Sequence, residues 1–106
     1  NILGENDKKV EAIETYQNGI SCYEELVKLH PNQAKYESSL GGAWNNMGLV
    51  QNSLERHDEA RESFGRAIEL QQPLFESNPD NRQIRRFLGI HRINLAIALR
   101  ELGRID

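Results

Sequence analysis

Three histidines and one cysteine are the residues of this chain best suited to acid–base, nucleophilic or metal chemistry. Such chemistry needs converging groups: a nucleophile beside a base, or several ligands at a fixed spacing. His30 and His57 lie in polar segments typical of turns, and His91 lies within a helical pattern; none has a recurring Cys, Asp or His at metal-ligand spacing. Cys22 is the only cysteine, which excludes a disulfide within the chain and a thiolate cluster. The sequence therefore predicts no catalytic residue, no metal site and no cofactor.

A cluster of arginines is the other group that could recognise a ligand. Arg82, Arg85 and Arg86 lie close together in the sequence, and guanidinium groups pair well with carboxylates and phosphates. One interpretation is an anion-binding patch that docks an acidic or phosphorylated segment of a partner. The other is a solvated helix face whose charge is offset by acidic residues on adjacent helices, namely Glu37, Glu62, Glu69 and Glu76.

Length and composition restrict the kind of protein that could carry these residues. The chain has 106 residues, enough for one domain, with 38% apolar and 27% charged residues, a composition typical of elongated helical folds. The net charge of −3 argues against nucleic acid and anionic membranes as partners. No apolar run is long enough for a membrane span or a signal peptide. Together with the single cysteine, this predicts a cytoplasmic location.

The chain contains an internal repeat with a period of about 48 residues, and a fixed period of this size indicates stacked copies of one structural unit. When the chain is aligned with itself at this offset, twelve of 58 pairs are identical, among them Pro31 and Pro79, Gly41 and Gly89, and Asn46 and Asn94. The repeat therefore decides the fold class. The chain divides into the second half of one repeat, one full repeat and the first half of the next, at residues 1–31, 32–79 and 80–106.

Two turns divide each period into helices. Pro31 and Pro79 cannot continue a helix, and the following Asn32 or Asp80 can cap the next one. The second turn is the polar segment 53–60, whose counterparts lie near the two ends of the chain. Between the turns, apolar residues recur at helical spacing. The sequence therefore predicts four helices, at residues 8–29, 33–54, 58–77 and 81–102.

Three local features follow from this division. Residues 1–4 match the end of a preceding helix, and residues 101–106 match the polar turn that follows a helix. Pro73 lies inside the third predicted helix, where its missing N–H predicts a kink near residues 69–73.

A motif of aromatic, apolar and small residues spans the middle repeat, in the order Trp44, Met47, Gly48, Ala60, Phe64 and Ala67. This motif resembles the tetratricopeptide repeat. Weaker copies lie one period to either side, at Ala12, Tyr16 and Gly19, and at Arg92, Leu95 and Ala96. The resemblance implies an all-α fold, a right-handed solenoid of antiparallel helical hairpins with about four long helices. It assigns structural roles to the motif, since small residues let helices approach and aromatic rings fill the remaining space.

The repeat length departs from the usual form of this family, which has about 34 residues. The added length is enough for about two extra turns on each helix. This long form looks like the arrays found in bacteria beside Ser/Thr protein kinase domains.

The resemblance also implies a concave groove lined by the first helix of each pair. The corresponding positions are Asn45, Leu49, Asn52, Ile93, Ile97 and Arg100. In the variant of the family that clamps a terminal carboxylate, lysine and asparagine occupy several of these places. Here Asn45 and Ile93 replace the lysine, and Leu49 and Ile97 replace the asparagine. An extended peptide with apolar side chains, or a partner helix, suits this face better.

We expect different roles for the two adjacent asparagines, Asn45 and Asn46. Asn45 is not repeated, and the resemblance directs it into the groove, so we expect it to contact a partner. Asn46 is repeated as Asn94, which fits a structural hydrogen bond and a ligand contact equally well.

These observations predict a non-catalytic protein–protein interaction scaffold; any enzymatic activity would belong to a domain outside these residues. The alternative is an architectural or multimerisation segment of a larger bacterial protein such as a Ser/Thr protein kinase. Because both ends would expose faces meant for neighbouring repeats, the sequence also predicts self-association through those ends.

Overall fold

Four helices make up the described part of the chain. The computed structural model describes the backbone of residues 2–105 and the side chains of residues 4–103. The helices are α1 (Ile2–Leu29), α2 (Ala34–Ser53), α3 (His57–Ser77) and α4 (Arg82–Ile105). Residues 2–105 contain no strand, so the predicted all-α, tetratricopeptide-like fold is confirmed. Each helix packs on the next one in the chain, and α2 also contacts α4.

The two proline turns lie where the sequence predicts them, since α1 ends at Leu29 and α3 at Ser77. The predicted caps, however, are wrong by one residue. Gln33 is the N-cap of α2 and makes no side-chain cap bond, while Asn81 accepts a hydrogen bond from the Ile84 N–H at 3.1 Å and so caps α4. An asparagine in this position satisfies one of the free N–H groups of the first turn.

The turn between α2 and α3 contains a residue in the left-handed backbone conformation. Glu55 has φ 63°, its N–H donates to the Asn52 carbonyl at 3.0 Å, and the Arg56 N–H donates to the Gln51 carbonyl at 2.8 Å. This pair of bonds is the Schellman arrangement, in which glycine is the usual residue. A residue with a Cβ is strained there.

We therefore expect Glu55→Gly to raise the free energy of unfolding by about 1 kcal/mol, because glycine removes the left-handed strain. Glu55 is exposed, so no packing is lost with its side chain. Glu55→Ala is the control, since it removes the charge and keeps the Cβ. Urea denaturation of both variants checks the prediction, and an equal effect of the two substitutions would contradict it.

The predicted breaks near the ends of the chain are wrong. α1 runs without interruption from Ile2 through the polar segment at residues 5–8, and α4 runs through to Ile105; Asp106 lies outside the described residues. At the α2–α3 turn, side chains of the following helix bond back to α2: Ser63 Oγ donates to Gln51 Oε1 at 2.6 Å. No described helix packs back in this way at the other two positions, and both segments are helical. α3 continues through Pro73, and a kink at that residue stays a prediction.

The core consists of two small clusters rather than one. Between α1 and α2 the buried residues are Ile13, Ile20, Leu40 and Met47, with the half-buried Trp44 packed against them. Between α3 and α4 they are Ala60, Phe64 and Ala98, with Leu95 alongside. Leu70 of α3 also packs against the first cluster, and Phe64 of the second cluster lies against Gly48 of α2. The two clusters therefore connect adjoining helices along the stack, as in a repeat protein.

Gly48 of α2 lies directly against a side chain of α3. A Cβ atom at this position would lie 2.5 Å from Cε1 of Phe64 on α3, far inside van der Waals contact. Phe64, Ala60 and Ala67 are fully buried. Ala96, the residue of α4 that corresponds to Gly48, is exposed, because no described helix packs on that side of α4.

His91 is buried in α4, with 3% of its surface exposed. Neither ring nitrogen has a hydrogen-bond partner among the described residues. Burial lowers the pKa of His91 from its usual 6.5, because the charged ring loses its hydration. The folded state therefore holds this side chain neutral.

A lowered pKa makes stability depend on pH. The stabilising contribution of neutral His91 is fully present above about pH 6.5, the unfolded pKa, and is lost as the pH falls toward the folded pKa. We expect the melting temperature to decrease as the pH is lowered from 7 to 5. The decrease should be smaller in His91→Leu. Thermal melts at several pH values measure both slopes. Equal slopes would show that other groups cause the acid sensitivity.

Candidate functional site

A groove of about 520 Å³ lies between the N-terminal halves of α2 and α4, with α3 beneath it. The α2 wall consists of small or polar residues, whereas the α4 wall has larger apolar ones. Leu74 of α3 forms the third side of the groove. The lining residues are Ala34, Lys35, Ser38, Ser39, Gly42, Leu74, Asn81, Gln83, Ile84 and Phe87.

The groove is open because one face of α2 lacks large side chains. Ala34, Ser38 and Gly42 follow one another at a spacing of four residues, which places them on one side of the helix. A Cβ atom at Gly42 would meet no atom within 4 Å. Phe87 and Ile84 on the opposite wall are half-buried, so they present apolar surface to the groove.

The groove ends where an amide pair joins its two walls. Asn94 Nδ2 of α4 donates to Asn45 Oδ1 of α2 at 2.9 Å, and Asn45 is only 7% exposed. The resemblance predicts that Asn45 contacts a partner, but its side-chain oxygen accepts the hydrogen bond from Asn94. Of the two repeated asparagines, Asn94 has a structural bond and Asn46 is exposed.

The other predicted groove residues lie beyond this pair, toward the C-terminal ends of α2 and α4. Leu49 and Ile93 are exposed at 46% and 62%, and Ile97 is half-buried. Arg100 is exposed and faces Glu101 at 3.9 Å. Asn52 Oδ1 accepts a hydrogen bond from His57 Nδ1, which fastens the α2–α3 turn. This half of the surface is therefore shallow, with exposed apolar side chains but no cavity.

Lys35 brings positive charge to the groove. Lys35 is the only charged lining residue, and its ammonium lies 5.1 Å from the centre of the Tyr36 ring. Arg82, Arg85 and Arg86 are exposed within the first two turns of α4 and form no ion pair with a described residue. The offsetting acidic contacts that the sequence suggested are thus absent among the described side chains.

Two other surface cavities are less suited to binding a peptide. One of about 670 Å³ lies along the outer side of α3 and is lined by α3 alone, mostly by charged residues. The second, of about 360 Å³, has Trp44 and Leu40 on one side and Arg66 and Glu69 on another. The second is lined by three helices and includes apolar residues, but it is smaller than the α2–α4 groove.

Metal and membrane sites were also sought among the described residues. Within residues 4–103, no group of three or more His, Cys, Asp or Glu side chains could hold a metal ion. None of the described helices combines the length and the hydrophobicity that a bilayer span requires.

Most of the residues that line the groove are not among those that the sequence predicts. The signal was present as the row of small residues in α2, at Ala34, Ser38 and Gly42. Their counterparts one period later are the large Arg82, Arg86 and Ile90, so the repeat comparison obscured the pattern instead of reinforcing it.

Comparison with known proteins supports the fold. Residues 41–73, which include most of α2 and the first part of α3, match the family model described as Tetratricopeptide repeat. The match supports a repeat protein of the tetratricopeptide type. No curated protein and no solved structure matches the chain. Repeats of this type generally mediate protein–protein interaction through their concave surface and are typically non-catalytic.

Proposed function

We propose that this chain is a non-catalytic protein-interaction module that binds a peptide segment of a protein partner between α2 and α4. The observation that carries the proposal is the groove of about 520 Å³ on the α2–α4 side of a tetratricopeptide-type repeat. Its volume lies in the range of ordinary ligand pockets, about 300–1,000 Å³.

The lining indicates the chemistry of the segment. Phe87, Ile84 and Leu74 offer apolar contact to one bulky side chain, while Ser38 and Ser39 offer hydroxyl groups to a peptide backbone. Lys35 favours a carboxylate or phosphate next to that side chain. The partner segment would therefore combine an apolar anchor with acidic residues. From there it would continue over Leu49 and Ile97.

A displayed library of random peptides tests this proposal without a known partner. Gly42→Phe should fill the groove, because the space beside Gly42 is open, and we expect it to weaken binding of the selected peptides at least tenfold. Gly65→Phe is the matched control, since Gly65 also has nothing within 4 Å of its Cβ position but lies on the outer side of α3.

A separate variant tests the preference for acidic peptides. Lys35→Glu should weaken acidic peptides and leave neutral ones unchanged, because Lys35 is exposed and lines the groove. The proposal fails if no peptide is enriched over a bead control, or if Gly42→Phe and Gly65→Phe bind equally well.

A second candidate is an architectural role, favoured by the exposed apolar side chains on the outer side of α4. We also propose that the repeats belong to the long form that resembles bacterial arrays beside Ser/Thr protein kinase domains, in a cytoplasmic setting. The long spacing between the two turn prolines, Pro31 and Pro79, supports this assignment. In an architectural segment, Gly42→Phe would be silent, and substitutions on the outer side of α4 would not.

A further inference from the structure

A cavity of about 360 Å³ lies between α1 and α3, with α2 beneath it. α1 and α3 each pack on α2, but their backbones make no close contact with each other in the described part of the chain, which leaves a cleft between them. Described helices form all three sides of this cleft. We call it the Trp44 cavity; its lining residues are Glu24, Leu40, Trp44, Arg66, Glu69 and Leu70.

The floor of the Trp44 cavity is apolar and aromatic. Leu40 is buried, and the half-buried Trp44 and Leu70 pack with it in the α1–α2 cluster. Among the described residues, the indole N–H of Trp44 has no hydrogen-bond partner, yet it is not sealed from solvent. No described Lys or Arg side chain is stacked on the Trp44 ring. The cavity therefore offers a ligand an aromatic surface and one hydrogen-bond donor.

The rim of the Trp44 cavity carries more negative than positive charge. Glu24, Glu69 and Arg66 are exposed, and none of them forms an ion pair with a described residue. The two carboxylates come from opposite walls, Glu24 from α1 and Glu69 from α3. The outer surface of α3 continues this excess of acidic residues, with Asp58, Glu59 and Glu62 beside Arg61. The rim therefore favours a cation that reaches both carboxylates.

An arginine side chain matches this arrangement of an aromatic floor and an acidic rim. The planar guanidinium group stacks on aromatic rings, and tryptophan is the strongest aromatic partner for a cation. Its N–H groups point in several directions, so they can bond carboxylates on two sides at once. The cavity volume is near the lower end of the usual range for pockets, about 300–1,000 Å³, which suits one long side chain better than a peptide segment.

The geometry points to a second binding site, in which the Trp44 cavity takes an arginine side chain from a basic segment of a protein partner. The guanidinium lies on the Trp44 ring between Glu24 and Glu69, and the indole N–H is free to donate to a carbonyl oxygen of that segment. Trp44 and Gly42 are two residues apart in α2, which is about 200° around the helix axis. This site and the α2–α4 groove therefore lie on opposite sides of α2. The inference goes beyond the proposed function and does not rest on it.

Titration of the full chain with a blocked arginine, N-acetyl-arginine N-methylamide, tests the inference by NMR. Trp44 is the only tryptophan, so its indole N–H gives a single, assignable signal. We expect this signal to shift and to saturate with a Kd in the millimolar range, as is usual for so small a ligand. The citrulline analogue is the matched control ligand, because it has the same shape without the charge. It should bind at least about fivefold more weakly, and higher salt should weaken only the arginine compound.

Three variants at exposed positions assign the binding to this cavity. Glu24→Gln with Glu69→Gln should weaken the arginine compound at least about threefold, because both rim carboxylates are lost. Glu11→Gln with Glu59→Gln is the matched control, since it makes the same change of net charge on the same two helices, outside the lining of the cavity. Arg66→Gln should strengthen binding, because it removes a like charge from the rim.

Several results would overturn the inference. A Trp44 signal that does not shift, or that shifts without saturation, shows that the cavity takes no arginine side chain. Equal binding of the arginine and citrulline compounds, or equal losses in the two double variants, removes the role of the rim carboxylates. Weaker binding in Arg66→Gln would mean that the cavity recognises an anion instead. None of these results bears on the α2–α4 groove, which the peptide library tests separately.

Discussion

Phe64→Ala is expected to lower the free energy of unfolding by about 3–5 kcal/mol, the usual range for deleting a fully buried phenylalanine ring. Phe64 is 0% exposed and contacts Gly48 of α2 as well as the α3–α4 cluster. The cavity would lie where α2, α3 and α4 meet, so the surrounding helices could not close it independently. Since domains are stable by only about 5–15 kcal/mol, a loss of this size is a large fraction of the total stability.

Urea denaturation followed by circular dichroism measures this effect, at low protein concentration so that self-association does not contribute. Phe87→Ala is the control, because the half-buried Phe87 lines the groove and should cost less when truncated. If the two substitutions cost the same, Phe64 is not the residue that joins the three helices.

The second large effect concerns the glycine that Phe64 contacts. Gly48→Ala is expected to destabilise the chain by about 1–3 kcal/mol, since the new methyl group overlaps the Phe64 ring and forces repacking. The same substitution at Gly42, earlier in the same helix, should instead stabilise by about 1 kcal/mol, because alanine is the better helix former and meets no atom there. The two substitutions are chemically identical, so the difference between them isolates the overlap.

A double-mutant cycle extends this comparison. Phe64→Leu removes the part of the ring that overlaps the added methyl group, so Gly48→Ala should cost less in that background than in the wild type. Contacting residues are expected to show such non-additivity. Additive effects, or a Gly48→Ala variant as stable as Gly42→Ala, would mean that the two helices are not held this close.

The helices and turns could be predicted from the sequence because local rules determine them. Pro31 and Pro79 exclude helix at fixed points, and the apolar spacing between them allows only one kind of element. The motif from Trp44 to Ala67 likewise identified the repeat, since the size of each residue restricts how closely two helices can approach. The ends of α1 and α4 could not be predicted in this way. The polar segments there are neutral toward helix formation, and a turn forms only where a following helix packs back, as at Glu55.

The binding surface depended on tertiary structure to a greater extent. The sequence alone determined an all-α fold of the tetratricopeptide type, and it predicts a period of about 48 residues. Only packing between α2 and α4 decided that Asn45 is bonded to Asn94 and that the groove opens beside Gly42. The physical reason is that residue spacing determines which side chains share a helix face. Whether that face is covered depends on residues a full repeat away in the chain, whose contacts form only when the helices pack.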